Sequence, residues 1–289
     1  MKTMFDINSN DNTLFVTGQC NNSCLMCCQP PTLKNDIDFL FEQNVALLKD
    51  APQNLPIIGV SGGEPTLLRE RFFELISIIR HHLPNTIIHI LTNGRQFADE
   101  YCVKKLKEVG ENNLLLGIPI HSESCLIHDE ITSVNNSFNE TMIGLYNLAA
   151  YELPIELRIV INKLNYERLP QLSNFIFKNL SFVSCVSFMA MEYTGFAVKN
   201  SAQIWVEPME YRTNLREATL TLNSWGVDVS LFNLPLCLLP KELHVFARKS
   251  ISDWKNNYAD ICQTCVKKED CCGLFSTSKK TFKDLIAYT

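Results

Sequence analysis

From residue 13 to residue 191, short runs rich in Val, Ile, Leu and Phe alternate with stretches of helical length, and that rhythm leaves few folds open. Strands are expected at 13–17, 56–60, 86–92, 114–120, 155–161 and 185–191, often bounded by Gly, Pro or Asn. Helices are expected between them, at 36–49, 70–81, 98–109, 137–151 and 169–180. Near-continuous apolar strands belong to a parallel sheet covered on both faces, and a β-then-α order builds it from right-handed βαβ units. The class is α/β, with the sheet either doubly wound or curled toward a barrel. Ser137 and Glu140 give the S-x-x-E pattern of a capping box at the start of the fourth helix. After residue 191 the rhythm changes. Pro208 and Gly226 bracket a helix, 227–231 reads as a strand, and Pro240 opens a helix expected to run to about 258. A boundary near 194–202 divides a core, residues 1–195, from a cysteine-rich appendage, residues 196–289.

Charge and hydropathy remove several partner classes. The net charge is −5, and the densest basic stretches are only residues 104–107 and the pair Lys279 and Lys280, so nucleic acid is a poor candidate. The apolar run 114–120 is far too short to span a bilayer, and residues 1–10 carry no apolar core of a signal peptide. The expected compartment is the cytoplasm, with no membrane partner. There, twelve cysteines point to metal or redox chemistry, because a reducing environment disfavours disulfides. Four fall between Cys20 and Cys28 and five between Cys237 and Cys272, while Cys102, Cys125 and Cys185 read as idle thiols.

In the first group, Cys20, Cys24 and Cys27 are separated by three and then two residues and follow the first strand. Three thiolates hold three irons of a cubane and leave the fourth iron open. A structural zinc site is the alternative, but it wants four protein ligands, and the adjacent Cys28 is poorly placed to join Cys27 on one tetrahedral ion. The second strand runs into Ser61-Gly62-Gly63-Glu64-Pro65, where paired glycines let the backbone approach a ligand and Glu64 adds a negative charge.

The pairing of CxxxCxxC after the first strand with GGEP after the second resembles the radical S-adenosylmethionine (SAM) superfamily, over about residues 12–195. The resemblance implies a partial (β/α)6 barrel in which Cys20, Cys24 and Cys27 ligate a [4Fe–4S] cluster whose open iron chelates SAM. It places Met26 beside the adenine and brings Gly62, Gly63, Glu64 and Pro65 to the methionine amino group. It also sets Ser122 at the ribose and Arg158 opposite the SAM carboxylate, although a turn cap and a structural ion pair explain these two equally well. Asn93 reads equally as turn chemistry, and His121 as a packed or capping residue.

The second group offers one closed site, Cys237, Cys262, Cys265 and either Cys271 or Cys272, which suits zinc or an iron–sulfur cubane alike. CxxCx5C beyond such a core resembles the SPASM and Twitch extensions, which implies an auxiliary [4Fe–4S] cluster with Cys271 as ligand and Cys272, like Cys28, a bystander. The stretches 25–31, 234–240 and 250–256 resemble the radical SAM maturases of the His-Xaa-Ser peptide system. That likeness implies a ribosomally made precursor peptide, a partner maturase and an electron donor such as a flavodoxin or ferredoxin. Only about a dozen residues precede the first strand, so a peptide-recognition segment is expected to be absent or supplied by a partner. Two other readings stand beside it: a radical SAM enzyme acting on a small molecule or nucleotide, and a non-catalytic, zinc-stabilised binding module.

Overall fold

A computed structural model describes residues 5–9, 12–110 and 113–289. Seven strands lie in one sheet in chain order: β1 (Thr13–Phe15), β2 (Ile57–Ser61), β3 (Ile87–Leu91), β4 (Leu114–Pro119), β5 (Ile155–Val160), β6 (Cys185–Met189) and β7 (Asp228–Phe232). Neighbours β1–β2, β2–β3, β3–β4 and β6–β7 pair in parallel. A doubly wound sheet reverses its strand order at a switch point. This order never reverses, so the sheet is not doubly wound, and among the described residues no pairing joins β7 to β1 into a closed barrel. The seventh strand is the segment expected at 227–231, which the sequence reading assigned to the appendage.

The helices are α1 (Ile37–Lys49), α2 (Glu70–His82), α3 (Glu100–Gly110), α4 (Cys125–Thr132), α5 (Ser137–Ala150), α6 (Leu169–Asn179), the single turns α7 (Phe196–Lys199) and α8 (Ser201–Ile204), and α9 (Pro208–Ser224). Five match the expected stretches between the first six strands, and α4 is additional. Helix α9 begins at Pro208 as expected, is closed by a Glu207–Glu210 capping box, and is followed by Gly226 at φ 79°. Among the described residues no helix is long and apolar enough to cross a membrane.

Two expectations fail locally. The capping box at Ser137 does not form: the α5 N-cap is Asn136, whose carbonyl accepts from the Glu140 amide, and the Glu140 carboxylate instead takes the Arg95 guanidinium. With Asn136 as N-cap, Ser137 is already the first helical residue, so it does not stand at the capping-box position. The long helix after Pro240 is also absent. A 3-10 turn (Lys241–Phe246) leads into extended chain, where Ala247 bridges Leu231 and the Arg248 amide donates to the Leu231 carbonyl. The edge of β7 offers this segment ladder bonds that compete with continued helix.

The chain falls into two compact units. One comprises residues 1–23, 29–119 and 134–156, the other residues 24–28, 120–133 and 157–289. In the first, Ile58, Val60, Ile88 and Ile90 alternate to one face of β2 and β3 and are completely buried, as are Leu75, Ile76 and Ile79 of α2. Arg80 of the same helix is buried as well and gathers carbonyls: Nε donates to Gly110, Nη1 to Pro84 and Thr86, and Nη2 to Asn113. Arg80→Leu strips those acceptors of their donor. The expected loss is about 3 kcal/mol, read as a lower urea midpoint at unchanged slope. In the second unit α6 packs on α9, with Leu172, Ile176, Leu215 and Leu222 buried, while Val186, Phe188, Val229 and Leu231 line the adjoining face of β6 and β7.

Candidate functional site

In the first unit the chain leaving β1 is pinned from two sides. Thr17 Oγ1 and the Gly18 amide donate to the Asp36 carboxylate at 2.7 and 2.9 Å, while the Gly63 and Glu64 amides donate to the Thr17 and Gln19 carbonyls at 2.7 and 2.8 Å. The loop after β2 therefore lies flat against the residues that lead into Cys20. A Cβ on Gly62 would stand 2.4 Å from Thr17 O, and one on Gly63 would stand 2.0 Å from Gln19 O. Only glycine allows backbone to meet backbone so closely.

Glu64 is completely buried, and its carboxylate accepts from Thr66 N, Thr66 Oγ1, Thr92 Oγ1 and Asn93 N at 2.6–3.1 Å. Burial pushes this carboxyl upward, and the bonds from Asn93, Thr92 and Thr66 oppose the shift. The charge expected to face a ligand is thus consumed in joining the β2 loop to the β3 loop, and residues 62–65 offer backbone in its place. Asn93, read from sequence as a turn residue, also reaches the cysteine loop, its Nδ2 donating to Asn21 Oδ1 at 2.6 Å. Cys20 is half-buried and receives the Asn22 amide on Sγ at 3.3 Å, while burial pushes its thiol up.

The second unit holds the rest of the loop. The Cys27 amide closes a turn on the Cys24 carbonyl, and the Leu25 amide donates to Ile131 O. Asn200 Nδ2 takes the Leu25 carbonyl at 2.9 Å, and the Phe196 amide takes the Cys27 carbonyl at 2.8 Å. Gly195, at φ 56°, allows this grip, since a Cβ there would stand 2.4 Å from Cys27 O and 2.7 Å from Cys28 O. Met26 is buried with Ile131, Met191, Ala197 and Ile204, and Cys24 packs on the same cluster. Cys24 and Cys27 are half-buried, whereas Cys28 is exposed. The sequence reading did not single out Gly195, Phe196 or Asn200; the one available signal was a glycine shortly after a strand.

Ser122 is completely buried, its hydroxyl accepting from the Ser124 amide at 3.1 Å and donating to Glu123 at 3.1 Å, so it caps the turn after β4. Glu123 pairs in turn with Arg168. Arg158 is half-buried on β5. His121 and His128 are both buried with ring centroids 5.4 Å apart, and the His121 amide donates to His128 Nδ1. Burial holds His121 well below the usual imidazole range and His128 down to about 4, so both are neutral, packed rings as expected for His121.

The tail of this unit is built from 3-10 turns, including Leu236–Leu238, Asp260–Thr264 and Lys268–Asp270, and from a two-stranded ribbon of β8 (Asn256–Asn257) and β9 (Leu274–Phe275). Cys237, Cys262, Cys265 and Cys271 line one pocket together with Tyr258 and Tyr288. Backbone amides point at the sulfurs: Tyr288 N donates to Cys265 Sγ at 3.4 Å, Gly273 N to Cys271 Sγ at 3.5 Å, and Ile286 N to Cys237. Cys272 is absent from the cavity lining and packs with Ile251 and Phe275. A hydrogen bond from Cys272 draws the Cys271 thiol down to about 6, aided by the Gly273 and Leu236 amides and opposed by burial. Among the described residues no three His, Cys, Asp or Glu side chains stand close enough to hold one metal ion.

Both donor sets suit iron–sulfur chemistry. In the first unit Cys20 is half-buried beside glycine-walled backbone, and in the second Cys24 and Cys27 are half-buried. The tail set has four thiols around a common space, three of them facing amide donors.

Comparison with known proteins agrees. The model of the radical SAM superfamily matches residues 14–176. The Fe-coproporphyrin III synthase of Methanosarcina barkeri is 29% identical over 163 residues, 56% of this chain and 39% of that protein. The sporulation killing factor maturation protein SkfB of Bacillus subtilis is 25% identical over 154 residues, 53% of this chain and 36% of that protein. The fold resembles that of Streptococcus suis SuiB, solved with S-adenosylmethionine, at a TM-score of 0.60 and 15% identity, covering 79% of this chain and 52% of SuiB. The chain therefore spans about half or less of the length of each of these three proteins.

Proposed function

The chain belongs to the radical SAM superfamily, and on that premise we propose that it is a peptide maturase whose tail carries a second, auxiliary [4Fe–4S] cluster. The cavity shared by Cys237, Cys262, Cys265 and Cys271 is the observation that carries this reading. Zinc–sulfur bonds of about 2.3 Å draw four sulfurs tightly around one point. A cubane holds four thiolates in a wider arrangement, and the likeness of CxxCx5C beyond the core to the SPASM and Twitch extensions favours it over zinc. The likeness to SkfB, a maturation protein, and the stretches 25–31 and 234–240 favour a peptide over a small molecule.

In this reading Cys20, Cys24 and Cys27 hold the first cluster through three thiolates and leave one iron open for SAM. Bound there, cluster and SAM would supply the radical chemistry that abstracts a hydrogen atom from the substrate. Gly62, Gly63 and the Pro65 turn present backbone to the methionine, and Glu64 fixes that backbone through its four hydrogen bonds. By the family resemblance Met26, buried in its apolar cluster, would hold the adenine, Arg158 the carboxylate and Ser122, which caps its turn, the ribose. The four tail thiolates fill every iron of their cluster, so that site handles substrate or supports the fold and does not cleave SAM.

The test is anaerobic reconstitution with iron, sulfide, SAM and dithionite, followed by mass spectrometry of short His- and Ser-containing peptides. A peptide mass change coupled to 5′-deoxyadenosine is expected, and turnover only on a small molecule or nucleotide would overturn the peptide assignment. Cys262→Ala with Cys265→Ala should remove roughly half the iron. It should abolish peptide modification yet leave some uncoupled 5′-deoxyadenosine. Zinc in the anaerobically purified protein would exclude the auxiliary cluster.

A further inference from the structure

The two residues after Cys20 are asparagines, a composition that suggests a solvated loop. Asn22 is nevertheless buried, and the reason lies just beyond β3. Gly94, at φ 79°, turns the chain so that Arg95 faces the cysteine loop with only 14% of its side chain exposed. Arg95 Nη1 donates to Asn21 O at 2.8 Å and to Asn22 Oδ1 at 2.7 Å, and Nε donates to Glu140 Oε2 at 2.6 Å. The Asn22 amide, held in that position, is the donor to Cys20 Sγ at 3.3 Å.

We propose that Arg95, backed by Glu140, is a positioning residue that holds Asn22 so that its amide donates to the Cys20 sulfur and thereby sets the reduction potential of the cluster. The proposal rests on Cys20 being a cluster ligand. A planar guanidinium serves a carboxylate and two loop oxygens at once, which a lysine ammonium on a flexible stem does not do in a fixed geometry. Glu140 is 36% exposed, and an ion pair that open to water adds little to stability. Hydrogen bonds to cluster sulfurs, by contrast, are among the determinants of potential. The brace therefore acts mainly on the loop, with a small part in holding the fold.

Two measurements on Arg95→Met, Arg95→Lys and Glu140→Gln test this. In metal-free protein, amide exchange of residues 21–23 should accelerate in both Arg95 variants and stay near wild type in Glu140→Gln, whose amide oxygen still accepts from Nε. In loaded protein, EPR titration should find about tenfold less reduced cluster at a fixed potential in Arg95→Met, which is 59 mV for a one-electron couple, with iron content retained. Arg95→Lys keeps the charge and loses the fork, so a potential shifted in the same direction shows that the geometry matters. Unchanged exchange at residues 21–23 in both Arg95 variants overturns the proposal, as does an unchanged potential in Arg95→Met. If the wild-type protein holds no cluster on this loop, the failure belongs to the cluster assignment, and the exchange measurement still reports on the brace.

Discussion

Replacing Cys20, Cys24 and Cys27 together by Ala is expected to remove about four irons per chain and all formation of 5′-deoxyadenosine, because three thiolates are the fewest that hold a cubane and leave one iron open. The proposed tail cluster would not substitute, since four thiolates would leave it no open iron. Cys28→Ala is the internal control: its thiol is exposed, and iron content should not change. Iron and product are measured on the same anaerobically reconstituted samples. Cleavage of SAM by the triple variant would remove the central claim, and loss of iron in Cys28→Ala would reassign the ligands.

Gly63→Val has the second large effect, and the structure alters what it should be. Viewed from sequence alone, a side chain here intrudes on SAM and leaves cluster assembly intact. The Cβ position, however, lies 2.0 Å from Gln19 O and 3.1 Å from Cys20 N, so the first group displaced is the chain entering the cysteine loop. Neither partner is a flexible side chain, and the strain should reach or exceed about 3 kcal/mol, the upper end for overpacking. Iron loading and SAM binding are expected to fall together, measured by iron titration beside equilibrium binding. Full iron with weakened SAM binding would show that the loop yields without cost.

Where local chemistry and tertiary structure agreed, the sequence was a reliable guide. The strands β2, β3 and β6 and the helices α1, α2 and α6 follow from apolar runs and spacing alone, and Pro208 and Gly226 bracket α9 because a fixed φ and a positive φ have few other uses there. Failures came where a residue outside the local pattern intervened. Glu140 fits a capping box with Ser137 until Asn136 takes the N-cap and leaves Ser137 the first helical residue. Glu64 reads as a ligand-facing charge until Thr92 and Asn93 are seen to enclose it. The segment after Pro240 has helical spacing, yet β7 offers it ladder bonds. The cysteine spacing left Cys271 and Cys272 open as the fourth tail thiol, and the likeness to SPASM and Twitch extensions implied Cys271; in the structure Cys271 lines the tail pocket while Cys272 packs with Ile251 and Phe275. Nothing in the spacing disclosed Gly195, because its role is defined only by the carbonyls of Cys27 and Cys28 that press on it.

That grip on the loop also imposes an order of events during synthesis. Asn200, which takes the Leu25 carbonyl, lies 175 residues downstream of it. At ribosomal rates of about 5–20 residues per second, Cys24 and Cys27 emerge roughly ten to thirty-five seconds before the residues that fix them. Closing so long a loop is also entropically unfavourable until much of the intervening chain has folded. During that interval these thiols are unsheltered, open to oxidants and to whatever soft metal is at hand. Metal supplied after folding therefore meets a finished loop, whereas metal or oxidant present during translation meets a nascent one. Protein made under oxygen and loaded afterwards should accordingly recover less iron than protein made and loaded without it, in proportion to the cysteines lost on the way.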